Sequence, residues 1–118
     1  METKKKKSLR IRRHRRLRKK IIGTPECPRV AVFKSLNHFY AQAIDDTAGR
    51  TLVASSSLTG ELRKKGGDKN AAVEVAKLFA AKAKEAGISA IVFDHGGFGY
   101  RGKIKLFAET LRKQGLEF

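Results

Sequence analysis

Tryptophan is absent from these 118 residues, cysteine and methionine occur once each, and proline occurs twice. The lone thiol, Cys27, excludes an internal disulfide and suits a reducing compartment. His14, His38 and His95 fall on three different segments, so no zinc-type spacing exists. Acid is scarce as well: eleven Asp and Glu stand against twenty-seven Lys and Arg, a formal net charge of +16. Long apolar runs are missing. No stretch approaches the roughly 18 residues of a membrane span. After the first charges only Ile21-Ile22 precede Gly23-Thr24-Pro25, where a secretory signal needs roughly 7–15 apolar residues. The expectation is a soluble, intracellular protein of one domain's length, with one modest core and no membrane partner.

What is present is positive charge, unevenly spread. Residues 1–20 carry twelve Lys and Arg and a single acid, Glu2, whereas the other 98 carry fifteen bases and ten acids. Unpaired ions cost several kcal/mol each to bury, so this arm must stay in solvent or meet a dense array of negative charge. Phosphate backbone is the commonest such array. The division expected is a basic arm over 1–22, partly helical, and a globular domain over 23–118. Residues 1–7, a lysine tract, should be disordered alone through self-repulsion. Residues 8–20 lack Gly and Pro, and Ser8 offers an N-cap, so a helix is expected there. A solvated tail is the plain alternative. A membrane-surface helix fits less well, because Leu9, Ile11, Leu17 and Ile21 make a poor apolar face.

Two prolines make 23–28 a linker. Strands are expected at 29–35, 38–45 and 50–56, joined by turns at Leu36-Asn37 and Asp46-Thr47-Ala48-Gly49. Closing the first turn sets Val32 opposite Ala41, Val30 opposite Ala43 and Phe33 opposite Tyr40. Pairing Asp45 with Arg50 across the second sets Ala43 against Leu52 and Ala41 against Ala54. One face is then small and apolar; the other carries Arg29, Phe33, Ser35, His38, Tyr40, Gln42, Thr51 and Ser55. After a loop over 57–69, Asp68 or Asn70 can cap a helix reaching Ala86 and ended by Gly87, with Ala72, Val75, Phe79, Ala83 and Ala86 as its buried stripe. Residues 88–94 are almost continuously apolar, as in an inner strand. A last helix over about 103–114 buries Ile104, Phe107, Ala108 and Leu111, and Gly115 ends it. The order β-β-β-α-β-α behind a basic arm predicts an α/β (α+β) fold: a mixed four-stranded sheet with helices packed on it and one face partly open.

Gly97-Phe98-Gly99-Tyr100-Arg101-Gly102 matches G-x-G-x-x-G between a strand and a helix. The acidic ribose partner belongs roughly 20 residues further on, and only sixteen residues remain, so no dinucleotide unit can be completed. The segment still suits a phosphate, with backbone N–H groups at a helix start, Arg101 and Lys103 nearby, and Tyr100 able to stack. A glycine turn that merely permits tight packing is the alternative. On the sheet, Phe33 and Tyr40 can stack on bases while Ser35, His38 and Gln42 hydrogen-bond to them, although a Phe–Tyr cross-strand pair also stabilises a sheet by itself. Asp45-Asp46 and Asp94 could suggest a nuclease site; a turn start and a loop anchor are the simpler readings. Lys77, Lys82 and Lys84 read as solvated. No catalytic, cofactor-binding or metal site is expected, and a DNA-binding architectural protein is the competing non-enzymatic reading.

The stretch Arg12-Arg13-His14-Arg15-Arg16-Leu17-Arg18-Lys19-Lys20-Ile21-Ile22-Gly23-Thr24 resembles the arm of the bacterial large-subunit ribosomal protein L18 family. Pro28 to Ser35, His38 to Asp46, Val92 to Phe98 and the closing Gly115-Leu116-Glu117-Phe118 follow that family's pattern in order. The resemblance implies a structural constituent of the large ribosomal subunit that acts in translation without catalysis. It implies binding to 5S rRNA and its attachment to 23S rRNA in the central protuberance, beside large-subunit ribosomal protein five and other proteins there. The free protein is expected to be a monomer, in the cytoplasm. The RNA contacts implied are Arg10, Arg12, Arg13, His14, Arg15, Arg16 and Arg18 in the arm; Arg29, Phe33, Ser35, His38, Tyr40 and Gln42 on the sheet; and Gly97, Tyr100, Arg101, Gly102 and Lys103 in the loop. His95, Arg101, Lys103, Lys34 and Cys27 depart from the family's usual residues, and Lys offers a point contact where Arg offers a planar fork.

Overall fold

Alternation of small apolar with polar residues builds the sheet, and the computed structural model describes it within residues 4–34, 38–57, 69–98 and 100–118. Strands β1 (Arg29–Lys34), β2 (Phe39–Asp45), β3 (Arg50–Ser56) and β4 (Val92–Asp94) lie in the order β3-β2-β1-β4. β1 and β3 run antiparallel to β2, and β4 runs parallel to β1. Helices α1 (Lys4–Arg18), α2 (Lys69–Glu85) and α3 (Gly102–Lys113) complete the described elements. The mixed four-stranded sheet of an α+β fold is therefore present.

The first hairpin has the expected register, with Val30 opposite Ala43, Val32 opposite Ala41 and Phe33 opposite Tyr40. Its tip, Ser35 to Asn37, lies outside the described residues. The second pairing begins as expected at Asp45 and Arg50 but slips at a bulge: Ile44 faces Thr51, whereas Ala43 faces Val53 and Ala41 faces Ser55. Val53 and Ser55 are thus buried in place of Leu52 and Ala54, and Ser55 does not belong to the open face. Leu52 and Val53 are both apolar, so a bulge that takes up one residue leaves the core satisfied.

Val30, Val32, Phe39, Ala41, Ala43 and Val53 form the sheet's contribution to the core. α2 lays Ala72, Val75, Ala76, Phe79, Ala80 and Ala83 over it, and small residues on both surfaces allow close approach. Ala86 is exposed, one turn too far. α2 ends as its glycine predicts, with the Ile88 N–H donating to the Ala83 carbonyl at 2.8 Å; of its two expected caps, Asn70 lies inside the helix rather than at its start, and Asp68 lies outside the described residues. α3 buries Ile104, Phe107, Ala108 and Leu111. Phe107 is the pivot, its ring 5.1 Å from Phe39, 6.1 Å from Phe79 and 6.3 Å from Phe93. Lys82 is not simply solvated: its Nζ donates to the Ala54 carbonyl at 3.0 Å.

Two further expectations are corrected. The apolar stretch ending at Asp94 forms only a three-residue strand at the sheet's edge, not an inner strand. Beside it, Ile91 donates to the Glu117 carbonyl at 3.0 Å and Glu117 to that of Ser89 at 2.9 Å, so the segment is covered from the last residues of the chain. The arm helix begins at Lys4, so Ser8 lies inside it rather than capping it. Lysine is a good helix former and nothing breaks the run.

Candidate nucleic-acid interface

Side chains alternate along a strand, so Arg29, Ala31 and Phe33, with Tyr40 and Gln42 on β2, face away from the core residues Val30, Val32, Ala41 and Ala43. Helix α1 lies across that second face. Its positions 10, 13, 14 and 18 recur at helical spacing, and each touches the body. The Arg10 guanidinium sits 4.7 Å from the Phe98 ring centre and 5.7 Å from that of Phe33. Arg13 Nε donates to the Gly97 carbonyl at 3.1 Å, and His14 Nε2 to Asp94 Oδ2 at 3.0 Å. Arg18 Nη1 reaches the Ile21 carbonyl at 3.0 Å and Asp46 Oδ2 at 3.4 Å. Gly97 makes this approach possible. A Cβ there would press into the Arg10 carbonyl and stand 2.9 Å from the His14 nitrogen.

Beneath the helix, two carboxylates and one guanidinium form a fixed cluster. Arg29 is buried and straddles both acids, with Nε on Asp46 Oδ2 at 2.9 Å, Nη2 on Asp46 Oδ1 at 3.1 Å and Nη1 on Asp94 Oδ2 at 2.7 Å. The Gly23 N–H donates to Asp46 at 2.7 Å and the Gly96 N–H to Asp94 at 2.8 Å. Hydrogen bonds from Arg29, opposed by burial but joined by the Gly23 amide and the charges of Arg29 and Arg18, bring the Asp46 carboxyl to about 2. Burial pushes Asp94 up, yet hydrogen bonds from His14 and the Gly96 amide, with the nearby positive charges, leave it below the usual carboxylate range. Burial pulls Arg29 down, and its bonds to Asp46 and Asp94 more than restore it, so it stays above its ordinary value. All three groups remain ionised near neutrality, a satisfied network rather than a set of orphaned charges.

The helix has another side. Arg12, Arg15 and Arg16 recur at i, i+3 and i+4, so they project along one line, and Lys19 follows one residue past the helix; all four are exposed and, among the described residues, none pairs with a carboxylate. The first turn of α1 carries lysines where the helix dipole favours an anion. An external polyanion would therefore stabilise the start of the helix as well as its outer side.

Beyond α1 the sheet shows a short row of rings. Phe33 lies 5.9 Å from Phe98 and 6.0 Å from Tyr40, and Tyr40 lies 6.5 Å from His38. Phe33 is 47% exposed, so a ring edge remains open beside Arg10. Gln42 is exposed, and His38 Nδ1 is 3.1 Å from the Ser57 hydroxyl. The loop residues are not all brought to this place. Tyr100 packs on Phe93, on the side of the sheet that bears α3, and its hydroxyl accepts from Arg112 at 3.4 Å. Arg101 and Gly102 are exposed and Lys103 half-buried, at the start of α3.

Of the expected site residues, then, Arg12, Arg15 and Arg16 are displayed outward. Arg10, Arg13, His14 and Arg18 hold the helix down, and Gly97 lies under it. Arg29 is buried and engaged by both carboxylates. Phe33, His38, Tyr40 and Gln42 share one sheet face, Tyr100, Arg101, Gly102 and Lys103 form a separate group, and Ser35 lies outside the described residues. Asp46 and Asp94 carry more of the arrangement than a turn start and a loop anchor. Their partners lie 17 to 80 positions away, and residue spacing does not reveal contacts of that range.

Residues 4–118 match the family model described as ribosomal L18 of archaea, bacteria, mitochondria and chloroplast. The chain is 56% identical over 115 residues to the large ribosomal subunit protein uL18 of Aquifex pyrophilus, which covers 92% of each chain. It is 53% identical over 116 residues to the protein of that name from Thermotoga petrophila, and 51% identical over 113 residues to that from Solibacter usitatus, covering in both cases 96% of this chain and 95% of the relative. A cationic helix seated on an α+β body thus coincides with a match along nearly the whole sequence, and the chain belongs to the ribosomal L18 family, structural proteins of the large ribosomal subunit rather than enzymes.

Proposed function

We propose that this protein binds 5S ribosomal RNA and helps attach it to 23S ribosomal RNA in the central protuberance, beside large-subunit ribosomal protein five, in the cytoplasm and without a cofactor. The observation that carries the reading is the outward line of Arg12, Arg15 and Arg16, continued by Lys19 just past the end, on a helix already seated against the body. From Arg12 to Arg16 the helix rises by roughly 6 Å, and Lys19 lies just past its end, so these cations address more than one phosphate of a folded strand at once. Phosphate neutralisation supplies affinity. Specificity comes from shape and from unstacked bases, for which Phe33, Tyr40, His38 and Gln42 offer rings and polar groups. Arg101 and Lys103 form a second cationic point, available to another strand.

Competition between folded 5S rRNA and duplex DNA of equal charge, at about 150 mM salt, tests the reading. RNA should displace DNA at much lower concentration. Equal displacement would make the protein a general polyanion binder, and preference for the duplex would favour a DNA-architectural role instead.

A further inference from the structure

The geometry points to Asp46 and Asp94 as positioning residues for RNA binding: two carboxylates that strengthen the grip on a polyanion by holding the arm helix in place. This rests on the RNA-binding reading above and concerns the same helix. Left alone, α1 has little to keep it formed. It is a 15-residue segment of Lys and Arg with Leu9, Ile11 and Leu17 as its apolar residues, and an isolated helix of that length is marginal in water even without self-repulsion. Its attachments to the body are mostly polar. His14 reaches Asp94 at 3.0 Å and Arg18 reaches Asp46 at 3.4 Å, while Arg29 locks the two acids into one frame. Asp94 is fully buried and Asp46 half-buried, and their contacts with His14 and Arg18 set both beneath the helix, opposite its line of outward cations.

Coulomb attraction alone predicts the reverse, since deleting a carboxylate makes the protein more cationic and should tighten its hold on RNA. Holding the helix predicts weaker binding, because an undocked arm must be ordered during association. The two also differ in salt dependence. Once bound, a loosened arm brings the same arginines to the same phosphates, so affinity falls while the slope of log K against log salt persists.

The test uses full-length protein and folded 5S rRNA over a range of salt, with amide hydrogen exchange on the free protein. Asp46→Asn should bind about three- to tenfold more weakly with an unchanged slope, and should lose protection in α1 but not in α2 or α3. Glu85→Gln, an equal charge change on the exposed end of α2, should not weaken binding. Arg18→Gln and Arg16→Gln form a second pair that leaves both carboxylates in place: the first should lower affinity at constant slope, and the second should flatten the slope. Binding by Asp46→Asn as tight as the unaltered protein's, or equal flattening by Arg18→Gln and Arg16→Gln, would overturn the inference alone. Failure of the unaltered protein to prefer 5S rRNA would overturn the RNA reading and this inference with it.

Discussion

Gly97 joins backbone geometry to function in a single residue. Its φ is +79°, and the backbone of α1 fills the space where a side chain would stand. A left-handed conformation costs a residue bearing Cβ about 1–2 kcal/mol, and the steric conflict with Arg10 and His14 adds to that. Gly97→Ala should therefore leave the core of α2 and α3 intact while releasing the arm. The expected result is faster trypsin cleavage among residues 10–18 and weaker binding to 5S rRNA, by about tenfold. Unchanged cleavage would mean that the helix seat tolerates a methyl group. The neighbourhood of this glycine was only half legible in the sequence. Gly97 to Gly102 shows a loop between strand and helix, and an anion there or a tight turn explains it equally well. What the glycine admits is another segment's backbone, more than eighty positions away, and periodicity holds no trace of such a contact.

Among the elements, α1 is the one whose two sides do different work. Substituting its outer side, Arg12/Arg15/Arg16→Ala, should reduce the magnitude of the salt slope by about 2–3, one counterion for each lost phosphate contact. The helix should stay seated, because its inner contacts are untouched. An unchanged slope would remove this line of cations from the interface. The first three strands were legible because small apolar residues alternate over spans with clear turns, and α2 and α3 because their buried stripes end at glycine. Two features escaped. The bulge opposite Ala43 is hidden because Leu52 and Val53 are both apolar and either can face the core. The shortness of β4 is hidden because an apolar run can be covered by neighbouring chain without being an inner strand, as Glu117 does here.

For the molecule as a whole, acid should separate arm from body before it unfolds the body. Asp46 ordinarily titrates at 3.8 and is held at about 2 in the fold, and Asp94 is lowered as well. A carboxylate depressed in the folded state contributes stability that is complete above its ordinary value and is lost as pH falls through the folded one. Between pH 4 and 2 the exchange protection of α1 should therefore disappear while α2 and α3, held by apolar contacts, keep theirs for longer. Persistence of α1 at pH 2 would show that its apolar residues suffice to hold it. At neutral pH the same cluster has a consequence at long range. Arg18 and Arg29 balance Asp46 and Asp94, so the cluster is electrically silent from a distance. The formal +16 of the chain is thereby worn on its exterior, and an approaching strand of phosphates senses that whole field before it makes any contact.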